Sequence, residues 1–210
     1  MAVVLALVAG LVLPAAAQDA RLGPLTDLFE GFTEPWQLTI TPGGYHMENK
    51  ADPASIRYVW STSPDSSLGS RTITASVELL QTTSTSNAGV LYAFSEQDDG
   101  STFYYMFMLR SDNRITLYRR DLDGVETITS ATSDAIRPGV NELTIAEDGD
   151  QITLLVNGEM VALLGGIEGM GSGRVGIVAW GTGEYLFSDF EDSAGAAPDK
   201  AAEERPPAAK

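Results

Sequence analysis

The chain has no cysteine and a single histidine, His46, among its 210 residues. The absence of thiols excludes disulfide bonds, thiolate nucleophiles and cysteine-based zinc sites. A lone imidazole without cysteine also argues against zinc and copper centres, which need several nitrogen or sulfur ligands. The folded state must therefore be held together by a hydrophobic core, which a chain of this length can build.

Basic residues are scarce. Lysine and arginine number 13 against 29 aspartates and glutamates, so the formal net charge is -16. Nucleic acids and anionic membrane surfaces are bound through basic faces, and both are therefore disfavoured as partners. Solubility explains an acidic excess of this kind, and cation binding is the more specific alternative.

Long apolar runs are absent except at the N-terminus. Residues 2–13 are almost all apolar, and Pro14 and three alanines follow them. This pattern predicts a signal peptide over residues 1–17, cleaved after Ala17, and the run is too short to span a bilayer. No lysine or arginine precedes the run, so a translation start further upstream stays open. We expect a periplasmic or secreted protein whose mature chain begins at Gln18.

The opposite end has little that could form a core. Residues 192–210 are mostly alanine, proline and charged residues, with no aromatic residue. Such a segment buries too little apolar surface to offset the entropy lost on ordering, so we predict a disordered tail. Residues 18–28 are predicted to be a lead-in with at most a short helical turn, which leaves residues 29–191 as one folded domain.

Helical periodicity is missing between these ends. About a dozen short runs of alternating or β-branched residues are separated by glycine-containing turns, and Asn157-Gly158 gives the strongest hairpin signal. The pattern predicts an all-β, two-sheet antiparallel sandwich. A parallel α/β fold is excluded because the chain lacks crossover helices.

Three segments carry a resemblance to a known family: AGVLYAFSEQDDGSTFYYMFMLRSDNRITLYRR, GVNELTIAEDGDQITLLVNGEMVALL and GSGRVGIVAWGTGEYLFSDFE. Their hairpin cadence resembles the concanavalin A-like jelly-roll domains, of the laminin-G and glucanase type, in exported bacterial proteins. The resemblance implies two packed sheets, with one sheet presenting an open face that binds ligand.

Strand alternation assigns side chains to that open face. In the run Phe103–Leu109, Tyr104 and Met106 lie opposite to Tyr105 and Phe107. The same reasoning puts Phe94 on one face with Val90 and Tyr92. The predicted ligand-binding residues are Tyr104, Met106, Tyr118, Arg120 and Trp180. The alternative is that loops or the N-terminal segment cover these residues and make them a second small core.

Catalytic motifs are not found. No strand has the Glu-aliphatic-Asp-x-x-Glu pattern of jelly-roll glucanases, and no G-x-S-x-G nucleophile elbow is present. The glycines of residues 171–176 match a dinucleotide-binding pattern, but a strand rather than a helix follows them. Acids cluster in turns instead, and Asp98, Asp99, Asp121 and Asp123 are the candidate ligands for calcium, the one cofactor with any support.

The sequence therefore predicts a non-catalytic exported binding module for a glycan or another envelope ligand, such as an envelope protein. Two alternatives stay open: a sugar hydrolase of the keto-disaccharide hydrolase-like type, which the resemblance allows, and a protein-interaction or scaffolding domain. Neither the oligomeric state nor the identity of the ligand is predicted.

Overall fold

The computed structural model describes residues 21–26, 28–61 and 70–194. The predicted signal peptide and most of the predicted tail lie outside these ranges. The described residues form fourteen strands and no helix. The strands are β1 (Gly31–Thr33), β2 (Trp36–Thr41), β3 (Gly44–Asn49), β4 (Ile56–Trp60), β5 (Ser70–Thr82), β6 (Asn87–Glu96), β7 (Thr102–Arg110), β8 (Arg114–Asp121), β9 (Gly124–Thr132), β10 (Asn141–Asp148), β11 (Gln151–Val156), β12 (Glu159–Gly165), β13 (Arg174–Trp180) and β14 (Gly183–Ala194).

The strands form two antiparallel sheets. One has eight strands in the order β1-β2-β3-β14-β5-β10-β11-β12, and the other has six in the order β4-β13-β6-β7-β8-β9. Strands far apart in the chain are neighbours in both sheets, as in a jelly roll. The predicted all-β, two-sheet sandwich is therefore confirmed. Within the described ranges, nothing has the length and apolar character of a membrane-crossing helix.

The inner faces of the two sheets meet in a continuous hydrophobic core. Ile73, Leu143 and Phe187 from the eight-stranded sheet belong to the same buried cluster as Phe107 and Ile177 from the six-stranded sheet. Strand alternation explains this layer, because every second side chain of a strand points to the same face. Burying such side chains contributes roughly 1.5–3 kcal/mol each, and this layer is the main source of stability.

The Asn157-Gly158 turn joins β11 to β12 as predicted. Both residues have positive φ, 51° and 82°, which a two-residue hairpin turn of this class requires. The Asn157 side chain also accepts a hydrogen bond from the Glu142 backbone N–H at 3.0 Å and donates to the Ala135 carbonyl at 2.7 Å. The turn therefore fixes the hairpin and connects it to β10.

One ion pair is fully buried near the end of β14. Arg71 donates from Nε and Nη2 to the two carboxylate oxygens of Asp192, at 2.8 Å each, and both side chains are 1 % exposed. Its Nη1 also donates to the Gly173 carbonyl at 3.3 Å. The predicted end of the folded domain, residue 191, is therefore three residues too early. Residues 192–194 are the last part of β14 rather than the start of the tail.

A β-bulge breaks the alternation of β6. Ala93 has a φ of 54°, and the pairing of β6 with β7 shifts between Tyr92 and Ser95. The extra residue turns Phe94 away from the inter-sheet core, where Val90 and Tyr92 lie, to the outer face of the six-stranded sheet. The predicted placement of Phe94 with Val90 and Tyr92 is therefore wrong, because strict alternation fails at a bulge.

Candidate ligand-binding face

A second hydrophobic cluster lies on the outer face of the six-stranded sheet, apart from the inter-sheet core. We call it the outer-face cluster. Its buried members are Leu91, Phe94, Tyr104, Met106, Met108, Tyr118 and Val178, and the half-buried side chains of Ile56, Tyr58, Trp60, Val125 and Trp180 pack against them. The outer face of an antiparallel sheet is usually polar, so an apolar cluster here calls for a functional explanation.

The strand register brings the predicted residues together. Met106 of β7 lies opposite Leu91 of β6 on one side and Tyr118 of β8 on the other. Tyr104 lies opposite Arg120 in the same strand pair. Residues directly opposite each other in an antiparallel pair share a face. The structure therefore places Tyr104, Met106, Tyr118 and Arg120 on one face, as alternation predicts.

Aromatic rings form a continuous stack at one end of the cluster. Phe94 stacks between Trp60 and Tyr104, with ring centroids 5.0 and 5.7 Å away, and Tyr58 contacts all three rings. Toward the other end, Trp180 meets Tyr118 edge-on at 5.2 Å. Aromatic pairs in these geometries contribute about 0.5–1.5 kcal/mol beyond their buried area, so the ring contacts add to the stability of the cluster.

Burial separates the predicted ligand-binding residues into two groups. Tyr104, Met106 and Tyr118 are 4, 0 and 6 % exposed, whereas Arg120 and Trp180 are half-buried. Burial raises the pKa of Tyr104 to about 12, because an ionised phenol is poorly solvated there. The three buried side chains agree with the alternative of a second small core. Any contact with a ligand falls to the half-buried rim, which includes Trp60 and Trp180.

Arginines surround the outer-face cluster. Arg110 donates from Nη1 to the Tyr118 hydroxyl at 2.7 Å and pairs with Asp112, whose pKa it lowers. The Arg174 guanidinium lies over the Trp60 ring, 5.2 Å from its centroid. Arg120 is positioned beside Tyr104 by the strand register. The aromatic surface is thus bordered by positive charge.

The acids predicted as calcium ligands are engaged in turns. Asp99 accepts hydrogen bonds from the backbone N–H and hydroxyl of Ser101, which lower the pKa of its carboxyl group. Asp121 accepts from the Asp123 backbone N–H at 2.9 Å and pairs with Arg119. Asp98 is exposed in the β6–β7 turn. In the described part of the chain, no three His, Asp or Glu side chains are grouped to hold a metal, and calcium binding stays a prediction.

Sequence reasoning missed a polar row on the outer face of the eight-stranded sheet. Glu48 and Glu184 lie directly opposite each other on β3 and β14. Lys50 pairs with Glu48 at 2.6 Å and lowers the pKa of its carboxyl group, and His46 approaches Glu184 at 3.6 Å. Cavities of about 330 and 220 Å³ lie on either side of Glu48 and Lys50. Alternation in the segment YHMEN does predict that His46 and Glu48 share a face of their strand. It cannot predict Glu184 as their neighbour, because β14 lies more than 130 residues further along the chain.

A third cavity, of about 370 Å³, lies beside β4, the edge strand of the six-stranded sheet. It is lined by Thr26 and by residues 56–60, and it therefore borders the Tyr58 and Trp60 end of the outer-face cluster. Arg57 contributes to the lining, and its Nε is buried without a hydrogen-bond partner. The accessible space next to the aromatic stack thus also has an arginine at its wall.

No protein-family model and no curated protein matches the chain. Solved structures match its fold. The CBM66 carbohydrate binding module from Bacillus subtilis aligns with a TM-score of 0.59 at 11 % identity, covering 80 % of this chain and 99 % of that one. A Bacillus subtilis protein of unknown function with a galectin-like fold aligns at 0.58 and 10 % identity, covering 80 and 89 %. The carbohydrate recognition domain of Emp46p, in a potassium-bound form, aligns at 0.59 and 14 % identity, covering 84 and 99 %.

These similarities establish the fold. The chain has the concanavalin A-like jelly-roll architecture that its hairpin pattern predicts. At 10–14 % identity they do not carry over a ligand or a set of binding residues. A fold of this kind hosts many functions, so the function has to be argued from the faces of this particular sandwich.

Proposed function

We propose that the protein is a non-catalytic, exported binding module whose ligand is a glycan, held at the outer face of the six-stranded sheet. The observation that carries this proposal is the half-buried aromatic rim of the outer-face cluster, where Tyr58, Trp60 and Trp180 pack against an apolar layer that lies outside the inter-sheet core. Apolar side chains within a polar rim on a protein surface often mark a binding site. Here the rim consists of arginines and half-buried aromatic rings.

The half-buried tryptophans suit a saccharide. The C–H face of a sugar ring packs against an aromatic face, and Trp and Tyr add a polar group at the edge of the ring. Trp60 lies opposite Gly176 in β13, and Trp180 is four residues further along that strand. At the rise of a β-strand this separation is about 13 Å, which favours an extended saccharide over a single sugar ring.

The sugar-hydrolase alternative receives less support from this face. Glycoside hydrolysis uses two carboxyl groups about 5 to 10 Å apart on either side of the scissile bond. Of the acids beside the outer-face cluster, Asp112 is paired with Arg110. Glu96 lies close enough to raise the pKa of Tyr58, behind the larger effect of burial. These contacts give each acid a partner other than a second carboxylate, and binding without catalysis is the simpler proposal.

A glycan array tests the proposal. The full-length protein should bind a subset of saccharides, and Trp180→Ala should abolish or strongly weaken that binding while the protein stays folded. Phe32→Ala is the matched control, because Phe32 is an aromatic residue 65 % exposed on the other sheet and should leave binding unchanged. Repeating the array with a chelator tests calcium. Absence of binding to every glycan would contradict the proposal.

Export is tested separately. N-terminal sequencing of protein recovered from the periplasm or medium should begin at Gln18. Recovery of a soluble cytoplasmic product that still begins at Met1 would contradict the export part of the proposal and leave the binding part standing.

A further inference from the structure

The positive charge of this chain is unevenly distributed. Four of its 13 basic residues, Arg110, Arg114, Arg120 and Arg174, belong to the outer face of the six-stranded sheet or its rim. The net charge of the whole chain is -16. In so acidic a protein, most surface guanidinium groups would be expected to have a carboxylate partner nearby.

Three of these arginines form no ion pair with a carboxylate of the described residues, although Arg114 is near enough to Asp112 to lower its pKa, behind the larger effect of Arg110. Among the described residues, the ion pairs of the outer face consist of Arg110 with Asp112. Arg114 bonds the Ser130 hydroxyl at 3.3 Å, Arg174 stacks over Trp60, and Arg120 forms no ion pair there. Their guanidinium groups retain donors for a planar anion, which is the geometry that Arg recognises best.

Two of the arginines bracket the aromatic stack. Arg174 lies over Trp60 at one end of the Trp60–Phe94–Tyr104 series, and Arg120 lies opposite Tyr104 at the other. A ligand lying across these rings would meet a guanidinium on each side. Glu96, the acid near Tyr58, forms no ion pair with either arginine in the described part of the chain.

We infer that the glycan is anionic, a polysaccharide bearing carboxylates along its chain, with Arg120 and Arg174 binding those carboxylates beside the aromatic stack. This inference rests on the proposed function and narrows it to one class of ligand. The overall negative charge of the chain repels polyanions. Binding of an acidic polymer would therefore indicate specific contacts with the arginines beside the aromatic stack, rather than general electrostatic attraction.

The test compares acidic polymers with a neutral counterpart. The probes are polygalacturonate, alginate and hyaluronate, with fully methyl-esterified polygalacturonate as the uncharged form of the first. The full-length protein should bind at least one of the acids, and esterification should weaken binding to the galacturonate at least tenfold if that is the polymer bound. Arg120→Gln and Arg174→Gln should each weaken binding to the acid on the order of tenfold, since each removes a charge-assisted hydrogen bond.

The matched control is Arg137→Gln, an exposed arginine in the β9–β10 connection that should leave binding unchanged. Equal thermal melting midpoints establish that all three variants fold. Equal weakening by Arg137→Gln, or equal binding of acid and ester, overturns the inference. Failure of all three acids overturns it too. If neutral glycans bind on the array in that case, the proposed function stands; if no glycan binds, both fail.

Discussion

The two outer faces of this sandwich differ in what they bury. The outer face of the eight-stranded sheet mixes polar side chains such as Thr74, Thr144 and Glu184 with separate exposed apolar ones. The exposed apolar residues on strands of this sheet include Ile40, Leu80, Met160 and Leu163. The six-stranded sheet buries methionines and stacked aromatic rings on its outer face, under a half-buried aromatic rim bordered by arginine. Both sheets already bury their inner faces against each other, so the outer-face cluster is a second apolar layer in addition to the inter-sheet core. The proposed binding function rests on this second layer and its half-buried aromatic rim.

The largest effect expected from this comparison is on stability. Tyr118→Ala removes a buried ring, its contact with Trp180 and its hydrogen bond from Arg110, and should cost about 3 kcal/mol or more of unfolding free energy. Thr144→Ala, on the other outer face, loses a hydroxyl contact with Thr74 at 3.1 Å and should cost about 1 kcal/mol or less.

Urea denaturation of both variants measures the contrast. Tyr118→Phe separates the two contributions, because it keeps the ring and loses the hydrogen bond from Arg110, at a cost of about 1 kcal/mol. Equal losses for Tyr118→Ala and Thr144→Ala would show that the outer-face cluster is no more important to stability than a polar sheet surface.

Alkaline pH gives a smaller effect. Burial raises the pKa of Tyr104 in the cluster and of Tyr185 in the inter-sheet core to about 12 each. An unfolded tyrosine ionises near pH 10, so between pH 10 and 12 the unfolded chain loses protons that the folded chain keeps, and stability falls as pH rises. Each tyrosine contributes up to about 1.4 kcal/mol per pH unit to this loss.

Phenylalanine substitutions measure the contribution of one tyrosine from each layer. Tyr104→Phe should leave stability at pH 8 unchanged, because its hydroxyl makes no hydrogen bond to another described residue, and should reduce the slope above pH 10. Tyr185→Phe should also lower stability at pH 8, because its hydroxyl bonds the Trp180 and Gly181 carbonyls at 3.1 Å. Unfolding midpoints at pH 8, 10 and 11 provide the readout. If the slope of stability against pH above 10 were the same in Tyr104→Phe as in the unmodified protein, the Tyr104 hydroxyl would be solvent-exposed rather than buried.

The smallest expected effect lies on the polar face. Glu184→Gln should leave glycan binding unchanged, because Glu184 lies on the sheet opposite the proposed binding face. It should also have no effect on hydrolysis, because we expect the protein not to hydrolyse chromogenic glycosides at all. Glu48 and Glu184 lie directly opposite each other on neighbouring strands of one sheet face, whereas a glycosidase places its two carboxyl groups on either side of the scissile bond. Reproducible turnover that Glu184→Gln abolishes would make the eight-stranded face the functional one and reverse the comparison.

Local patterns in the sequence account for much of this structure. Alternation along β7 separates Tyr104 from Tyr105, and the Asn157-Gly158 turn sets one hairpin; both depend on residues adjacent in the chain. The spacing of short strands and turns also predicts two packed sheets, and the resemblance to concanavalin A-like domains adds the jelly-roll arrangement.

The features that could not be predicted depend on long-range pairing or on irregular backbone. Phe94 joins the aromatic stack through the bulge at Ala93, and alternation alone gives it the wrong face. Arg71 pairs with Asp192, which is 121 residues further along the chain, so composition alone assigns Asp192 to the predicted tail. Glu48 and Glu184 become neighbours because β14 inserts between β3 and β5, a pairing no local signal specifies.

The position of β14 has a mechanical consequence. The strand lies between β3 and β5 in the interior of the eight-stranded sheet, and the ion pair between Arg71 and Asp192 stabilises its last residues. A force applied along the chain beyond Ala194 would load the ladders on both sides of the strand in shear, so many hydrogen bonds would resist together rather than open one at a time. Pulling on this end would therefore meet more resistance than pulling on an edge strand, and the half-buried aromatic rim lies on the other sheet, away from the loaded strand.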